Sequence, residues 1–321
     1  MVGILPAVCY GEQSHIAVHR IHLIRRMNIR CIETEGVHDM MTYTMNDGHT
    51  IPAVGYGVFL MSPAEVEEHL PEAIEAGYRH IDTANAYFNE KAVGRVVKRS
   101  GLDRSEFFIT SKLFPQDYGY EDCGKAIDAT LRRLDTDYLD LLLLHQPYGK
   151  YTEAWKAMEE AVAAGKVRSI GLSNFNQAKT QQILDVTDIV PAVMQVEMHP
   201  YWNQHEKKAF LKDLNVTFEA WYPLGHGDAA LLNEPVFAEL AHKYGKTPAQ
   251  IILRWHVEEG NVIFPKTLNP EHMADNINIF DFSLTADEVA RINELPQKAY
   301  YTVADEAPDF VTAHSDWDAQ E

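Results

Sequence analysis

The stretch "GYRHIDTANAYFNE", residues 77–90, sets the reading of the whole chain. It opens as a short buried strand, "RHIDTA" (79–84), and breaks into a polar loop carrying an aromatic residue. Before it runs "SPAEVEEHLPEAIEAG" (62–77), which has helical spacing. Ser62 stands there as an N-cap, Pro63 at the first helical position and Gly77 as a stop. The unit of helix, stop, strand and polar loop then recurs in both directions. The other strand-like runs are "GYGVF" (55–59), "FFITSKL" (107–113), "YLDLLLLH" (138–145) and "VRSIGLSN" (167–174). "AVMQVE" (192–197), "VTFEAWYPL" (216–224) and "NVIFPK" (261–266) complete a set of eight. "TEAWKAMEEAVAAGK" (152–166) repeats the helical pattern, with Thr152 as cap and Gly165 as stop.

Eight βα units in a chain of this length imply an α/β protein of one (β/α)8 TIM barrel. Two extra helices are expected. "EPVFAELAHKYG" (234–245) precedes the seventh barrel helix, "TPAQIILRWHVEEG" (247–260), and "TADEVARINEL" (285–295) follows the eighth. Ahead of the first strand, alternating runs flank Asn46-Asp47-Gly48, a hairpin-turn signal. Such a hairpin would plug the bottom of the barrel.

The 321 residues are 46% hydrophobic, enough for one large core. A net charge of −19 argues against nucleic acid, because phosphates would be repelled. No apolar run approaches the ~20 residues that span a bilayer. Cys9, Cys31 and Cys123 are few and widely spaced, which suits a reducing cytoplasm rather than a disulfide framework. Residues 1–38 read as a disordered leader, and 39–321 as a single barrel domain ending in an acidic tail. The leader's "HIAVHRIHLIRRMNIR" (15–30) lacks the apolar core of a secretory signal. His15, His19 and His22 would share a helix face there; a metal set is weighed against a plain leader, and no metal is expected.

Catalytic groups in such a barrel stand at the C-terminal ends of its strands. Those positions hold Asp82 and Tyr87, Lys112, His145, Ser173 and Asn174, then Gln195 and Glu197, Trp221 and Tyr222, Lys266 and Thr267. An aspartate can fix a lysine, and a lysine can lower a neighbouring phenol from its usual value of about 10. A phenol so tuned can protonate a developing alkoxide while a neutral histidine orients the carbonyl. The hydride needs a separate donor, for which Ser173, Asn174, Gln195 and the flat face of Trp221 offer a nicotinamide site. The helix start after Lys266 and Thr267 suits phosphate. No Rossmann-type glycine fingerprint follows a strand, since Leu60 stands where "GYGVFL" would need its third glycine. A metal-dependent barrel hydrolase is a rival because of the 15 histidines. Strand ends bearing Ser, Asn, Gln, Trp and Lys argue against it, and His199 reads as a structural histidine.

"GYRHIDTANAYFNE", "ITSKL", "DLLLLHQP", "RSIGLSNF", "MQVEMHP" and "FPKTLNPEHMADN", in this order, resemble the aldo-keto reductase family over about residues 40–296. The bacterial 2,5-diketo-gluconate reductase type looks most similar. The resemblance implies NADPH-dependent reduction of aldehydes and ketones, keto-sugars or keto-acids among them, by a monomer acting on a small carbonyl compound. It implies a tetrad of Asp82, Tyr87, Lys112 and His145, with Tyr87 as general acid. Cofactor contacts are implied at Ser173, Asn174, Gln195, Trp221, Leu224, Gly225, Lys266, Thr267, His272 and Asn276. NADP(H) is expected, and NAD(H) as well, because His272 replaces the arginine that commonly grips the 2′-phosphate. Phe59, Phe88, Phe114, Gln146 and Tyr148 are expected to line the substrate pocket, with the C-terminal tail as a further wall. Gln146 and Phe88 replace a tryptophan and a glycine common in the family. A non-catalytic, cofactor-binding regulatory subunit of the same fold is the alternative.

Overall fold

The runs of buried, β-branched and leucine-rich sequence pair side by side. Tyr56–Gly57 (β1), His80–Asp82 (β2), Phe108–Leu113 (β3) and Leu139–Leu144 (β4) are followed by Val167–Ser173 (β5), Val193–Glu197 (β6), Thr217–Trp221 (β7) and Asn261–Ile263 (β8). All eight are parallel and lie in chain order. The computed structural model describes residues 29–30, 41–304 and 306–320. Every residue of "LDLLLL" in β4 is buried, as expected of a strand covered on both faces. A parallel bridge between Val54 and Ile263 joins the first strand region to the last. Gly55 donates its N–H to the Ile263 carbonyl at 2.8 Å, and a Cβ at Gly55 would come within 2.6 Å of the Phe264 ring. A side chain there would have to displace the Phe264 ring where the barrel closes.

Helices alternate with the strands, and the expected cap at Ser62 holds. Ser62, Thr247 and Thr285 each form a capping box at the head of Pro63–Glu75, Pro248–Glu258 and Ala286–Asn293. The expected extra helix runs Pro235–Tyr244 and ends at left-handed Gly245. Thr152 is not a cap. Its helix, Tyr151–Ala163, starts one residue earlier, after Lys150, and Tyr151 packs edge-on against Phe175 at 5.2 Å. The aromatic contact draws Tyr151 into the first turn.

The hairpin forms as expected, with Thr42–Thr44 antiparallel to Thr50–Pro52. A two-residue strand, Ile29–Arg30, adds to its outer edge from within the segment read as a disordered leader. Backbone pairing to Thr42 and Tyr43 is local and carries no hydrophobic pattern that sequence could reveal. His15, His19, His22, Cys9 and Cys31 lie outside the described residues. Among those that are described, no helix is long and apolar enough to cross a membrane, and no group of three or more His, Cys, Asp or Glu could hold a metal ion.

The C-terminal segment returns across the strand ends. Val311 and Trp317 bury against Phe114 and Tyr148. Arg133, itself buried, pairs with Glu90 at 2.6 Å and with Asp318 at 2.8 Å, which pins the last residues to the barrel.

Candidate active site

The ends of β2, β3 and β4 aim three side chains at one point, and the loop after β2 adds a fourth. Lys112 is fully buried. Its ammonium donates to Asp82 Oδ1 at 2.6 Å and Oδ2 at 2.7 Å, to the Thr83 carbonyl at 2.9 Å and to the Tyr87 hydroxyl at 3.3 Å. A buried ammonium needs such an acceptor set. Burial alone would lower Lys112, but Asp82 and Tyr87 hold it above its ordinary value. With its oxygen accepting from Lys112, the Tyr87 hydroxyl keeps its own proton for the cavity.

Proximity to Lys112 alone would bring the phenol below its usual value, as the sequence leads one to expect. Burial outweighs that pull, and Tyr87 sits above it, with Lys112 opposing the rise. His145 stands edge-on to Tyr87, ring centres 5.6 Å apart. Burial and the nearby Lys112 cation hold it well below the ordinary histidine value, so it is neutral. Its Nδ1 is buried without a partner among the described residues, which leaves Nε2 as the nitrogen for the cavity.

These groups form the floor of a cavity of about 500 Å³. Asp82, Tyr87, His145, Ser173, Asn174, Gln195, Trp221 and Lys266 all line it, as do Phe59, Phe114 and Gln146. Lys112 lies beneath. Phe88 and Tyr148, expected in the pocket, do not line it. Phe88 packs on Trp317 at 5.3 Å, and the Tyr148 hydroxyl donates to the Ala304 carbonyl at 2.8 Å. The returning C-terminal segment claims both. That segment forms the further wall expected of the C-terminal tail, through a residue not named from sequence, Tyr301, which packs edge-on to Trp221 at 5.6 Å. Phe264, Ala86 and Gly57 also line the cavity; all lie in or beside the quoted strand ends.

Across from the tetrad, hydrogen bonding fixes which polar atoms remain free. Asn174, at a left-handed φ of 66°, accepts from the Trp221 indole at 2.9 Å. Its NH₂ donates to the His145 carbonyl at 3.1 Å and to Ser173 Oγ at 3.2 Å. Gln195 donates to Asp82 Oδ2 at 2.8 Å and to Glu219 Oε2 at 2.9 Å. What remains is one donor, the Ser173 hydroxyl, and one acceptor, the Gln195 carbonyl. That pair complements a primary carboxamide. Thr267, His272 and Asn276 lie outside the cavity, at and within the helix Pro270–Ile277; Asn276 is buried and His272 exposed. Leu224 and Gly225 lie in the loop after β7, where Gly225 takes a left-handed φ of 60°. His199, read as structural, bonds Glu197 at 2.9 Å.

The Aldo/keto reductase family model matches residues 54–297. This chain belongs to the aldo/keto reductase family. It is 42% identical over 265 residues to morphine 6-dehydrogenase of Pseudomonas putida, covering 78% of this chain and 90% of that protein. To methylglyoxal reductase DkgA of Escherichia coli it is 40% identical over 256 residues, covering 79% and 92%. The crystal structure of a Bombyx mori aldo-keto reductase in complex with NADP matches at a TM-score of 0.76 and 33% identity, covering 82% of this chain and 94% of the other. Aldo/keto reductases on this barrel are oxidoreductases of carbonyl compounds, and homologous structures hold NADP.

Proposed function

We propose that this chain reduces aldehydes and ketones to alcohols, taking the proton from Tyr87. The observation that carries this reading is the chain of contacts from Asp82 through Lys112 to the Tyr87 hydroxyl on the floor of an aromatic cavity. When bound, NADPH supplies the hydride. Ser173 and Gln195 would hold its carboxamide, Trp221 would face its ring, and Lys266, Thr267, His272 and Asn276 would take its adenosine-phosphate end. His145, neutral, orients the substrate carbonyl through Nε2. As negative charge develops on the carbonyl oxygen, Tyr87 transfers its proton there. Lys112 stabilises the phenolate left behind, and Asp82 holds Lys112 in place.

The elevated resting value of Tyr87 fits a residue that must stay protonated until the alkoxide forms. The cavity wall is aromatic, built from Phe59, Phe114, Trp221, Tyr222, Phe264 and Tyr301. Lys266 is the one cationic side chain lining it among the described residues, and the cofactor would claim it. A substrate carboxylate would find no cation of its own, so neutral carbonyl compounds are favoured over keto-acids. The relatives named for methylglyoxal and for morphine put both a small dicarbonyl and a larger polycyclic alcohol, taken in the reverse direction, in range. The resemblance to the 2,5-diketo-gluconate type adds a keto-sugar acid as the contrasting case.

The test is a panel of neutral aldehydes, methylglyoxal, ketones and keto-sugar acids, each assayed with NADPH and NADH. Turnover of the neutral compounds with NADPH is expected. Cofactor binding with no turnover of any of them would favour the non-catalytic, cofactor-binding alternative.

A further inference from the structure

Beneath the tetrad lies a carboxyl group that the proposed chemistry does not use. Glu219, on β7, is in register with Gln195 on β6, and both are fully enclosed by the barrel. Its Oε2 accepts from Gln195 Nε2 at 2.9 Å. Its Oε1 has no hydrogen-bond partner among the described residues and stands 4.0 Å from His80 Nε2. His80 does not answer it, since that nitrogen meets Thr110 Oγ1 at 2.9 Å. Asp82 and Lys112 are the other charged groups facing it. Burial, with Asp82 adding to it, pushes Glu219 up to about 8, so it is mostly neutral at pH 7.

A buried polar atom left unpartnered destabilises the fold. What Glu219 does achieve is local. The Gln195 amide has two N–H groups, and Asp82 and Glu219 take both. Turned by half a revolution, the amide would press its carbonyl oxygen against Asp82 Oδ2, an oxygen already committed to the Lys112 ammonium with no proton to offer.

We infer that Glu219 is a positioning residue: Asp82 sets which way round the Gln195 amide lies, and Glu219, by taking its second N–H, holds the side chain there so that its carbonyl oxygen, and not its NH₂, meets the carboxamide of the nicotinamide cofactor. This rests on the cofactor site proposed above. It assigns no contact between Glu219 and cofactor or substrate; the effect passes through Gln195.

The signature is a split between stability and cofactor affinity. Leucine at this position removes the unpartnered oxygen along with the acceptor. Glu219→Leu should therefore keep or raise the melting temperature while weakening NADPH about five- to tenfold, the worth of one buried hydrogen bond. Glu219→Gln, which still offers an acceptor, should restore affinity to within about threefold of the parent. In a Gln195→Leu background, Glu219→Leu should have no further effect on affinity, because the two act as one unit. The measurements are NADPH dissociation constants by fluorescence titration and melting temperatures for the single and double variants. An unchanged dissociation constant in Glu219→Leu would overturn the assignment. So would a loss of affinity that persists without Gln195, or one that tracks a falling melting temperature. Failure of the parent itself to bind NADPH would instead remove the cofactor site, and this inference with it.

Discussion

Tyr87 shows what a single residue discloses before its surroundings are known. Its spacing from Asp82, and the strands that carry Lys112 and His145, were legible because strand-end polar residues in a barrel have few other uses. The net direction of its ionisation was not legible. Proximity to Lys112 is written in the pattern, but burial is a property of the folded neighbourhood, and burial prevails. His272 is the reverse case, a departure visible in sequence whose setting the fold supplies. It is exposed in the first turns of Pro270–Ile277, where the helix N-terminus favours anions. His272→Arg adds a permanent cation and a planar donor fork. NADPH should then bind about tenfold more tightly and NADH should change little, since NADH has no 2′-phosphate. Dissociation constants for both cofactors at pH 7 check this; equal changes for the two would remove His272 from the phosphate site.

At the scale of elements, all eight strands and both extra helices could be placed from apolar runs and turn residues, because a parallel barrel strand is buried on both faces and short. The cap at Ser62 was legible and has its partner three residues on, Glu65, whereas the equivalent pair Thr247 and Gln250 was not read as a cap from sequence. Thr152 lacked that partner's support, and tertiary packing of Tyr151 decided the helix start instead. The C-terminal wall was legible as a tail over the pocket, but not in the residue it contributes, Tyr301. Its position is set by Glu197 at the end of β6, whose carboxylate accepts the backbone N–H groups of Tyr300 at 2.6 Å and Tyr301 at 3.0 Å. Contacts between residues about a hundred positions apart leave no periodic trace. The same reason explains why Phe88 and Tyr148 were misplaced: their partners, Trp317 and Ala304, come from the far end of the chain.

For the molecule as a whole, buried ionisable groups make stability depend on pH in two opposing ways. Burial holds His80 and His256 down to about 3. Each binds its proton less readily folded than unfolded, so its stabilisation is complete above about 6.5 and is lost as pH falls toward 3. Glu219 is raised from 4.5 to about 8, so its stabilisation is complete below 4.5 and is lost as pH rises through 8. The histidines outweigh it on the acid side, Glu219 runs against stability from about 6.5 to 8, and above about 8 Lys207, held down to about 8 by burial, works the other way. The melting temperature should peak near pH ~6.5 and decline toward pH ~8, and Glu219→Leu should remove the decline. A melting temperature that climbs steadily from pH ~6.5 to ~8 would contradict this assignment of buried protons. The central claim joins the two sides of the cavity: a proton from the β2–β4 side and a cofactor held on the β5–β8 side. Tyr87→Phe tests it most directly, because it removes one hydroxyl from the first side and touches nothing on the second. With a neutral aldehyde and NADPH, the variant should lose about 10²–10⁴-fold in turnover while its NADPH dissociation constant stays within about twofold of the parent. A variant that keeps more than about a tenth of the parent's rate would contradict the account, since no general acid would then be at work at Tyr87.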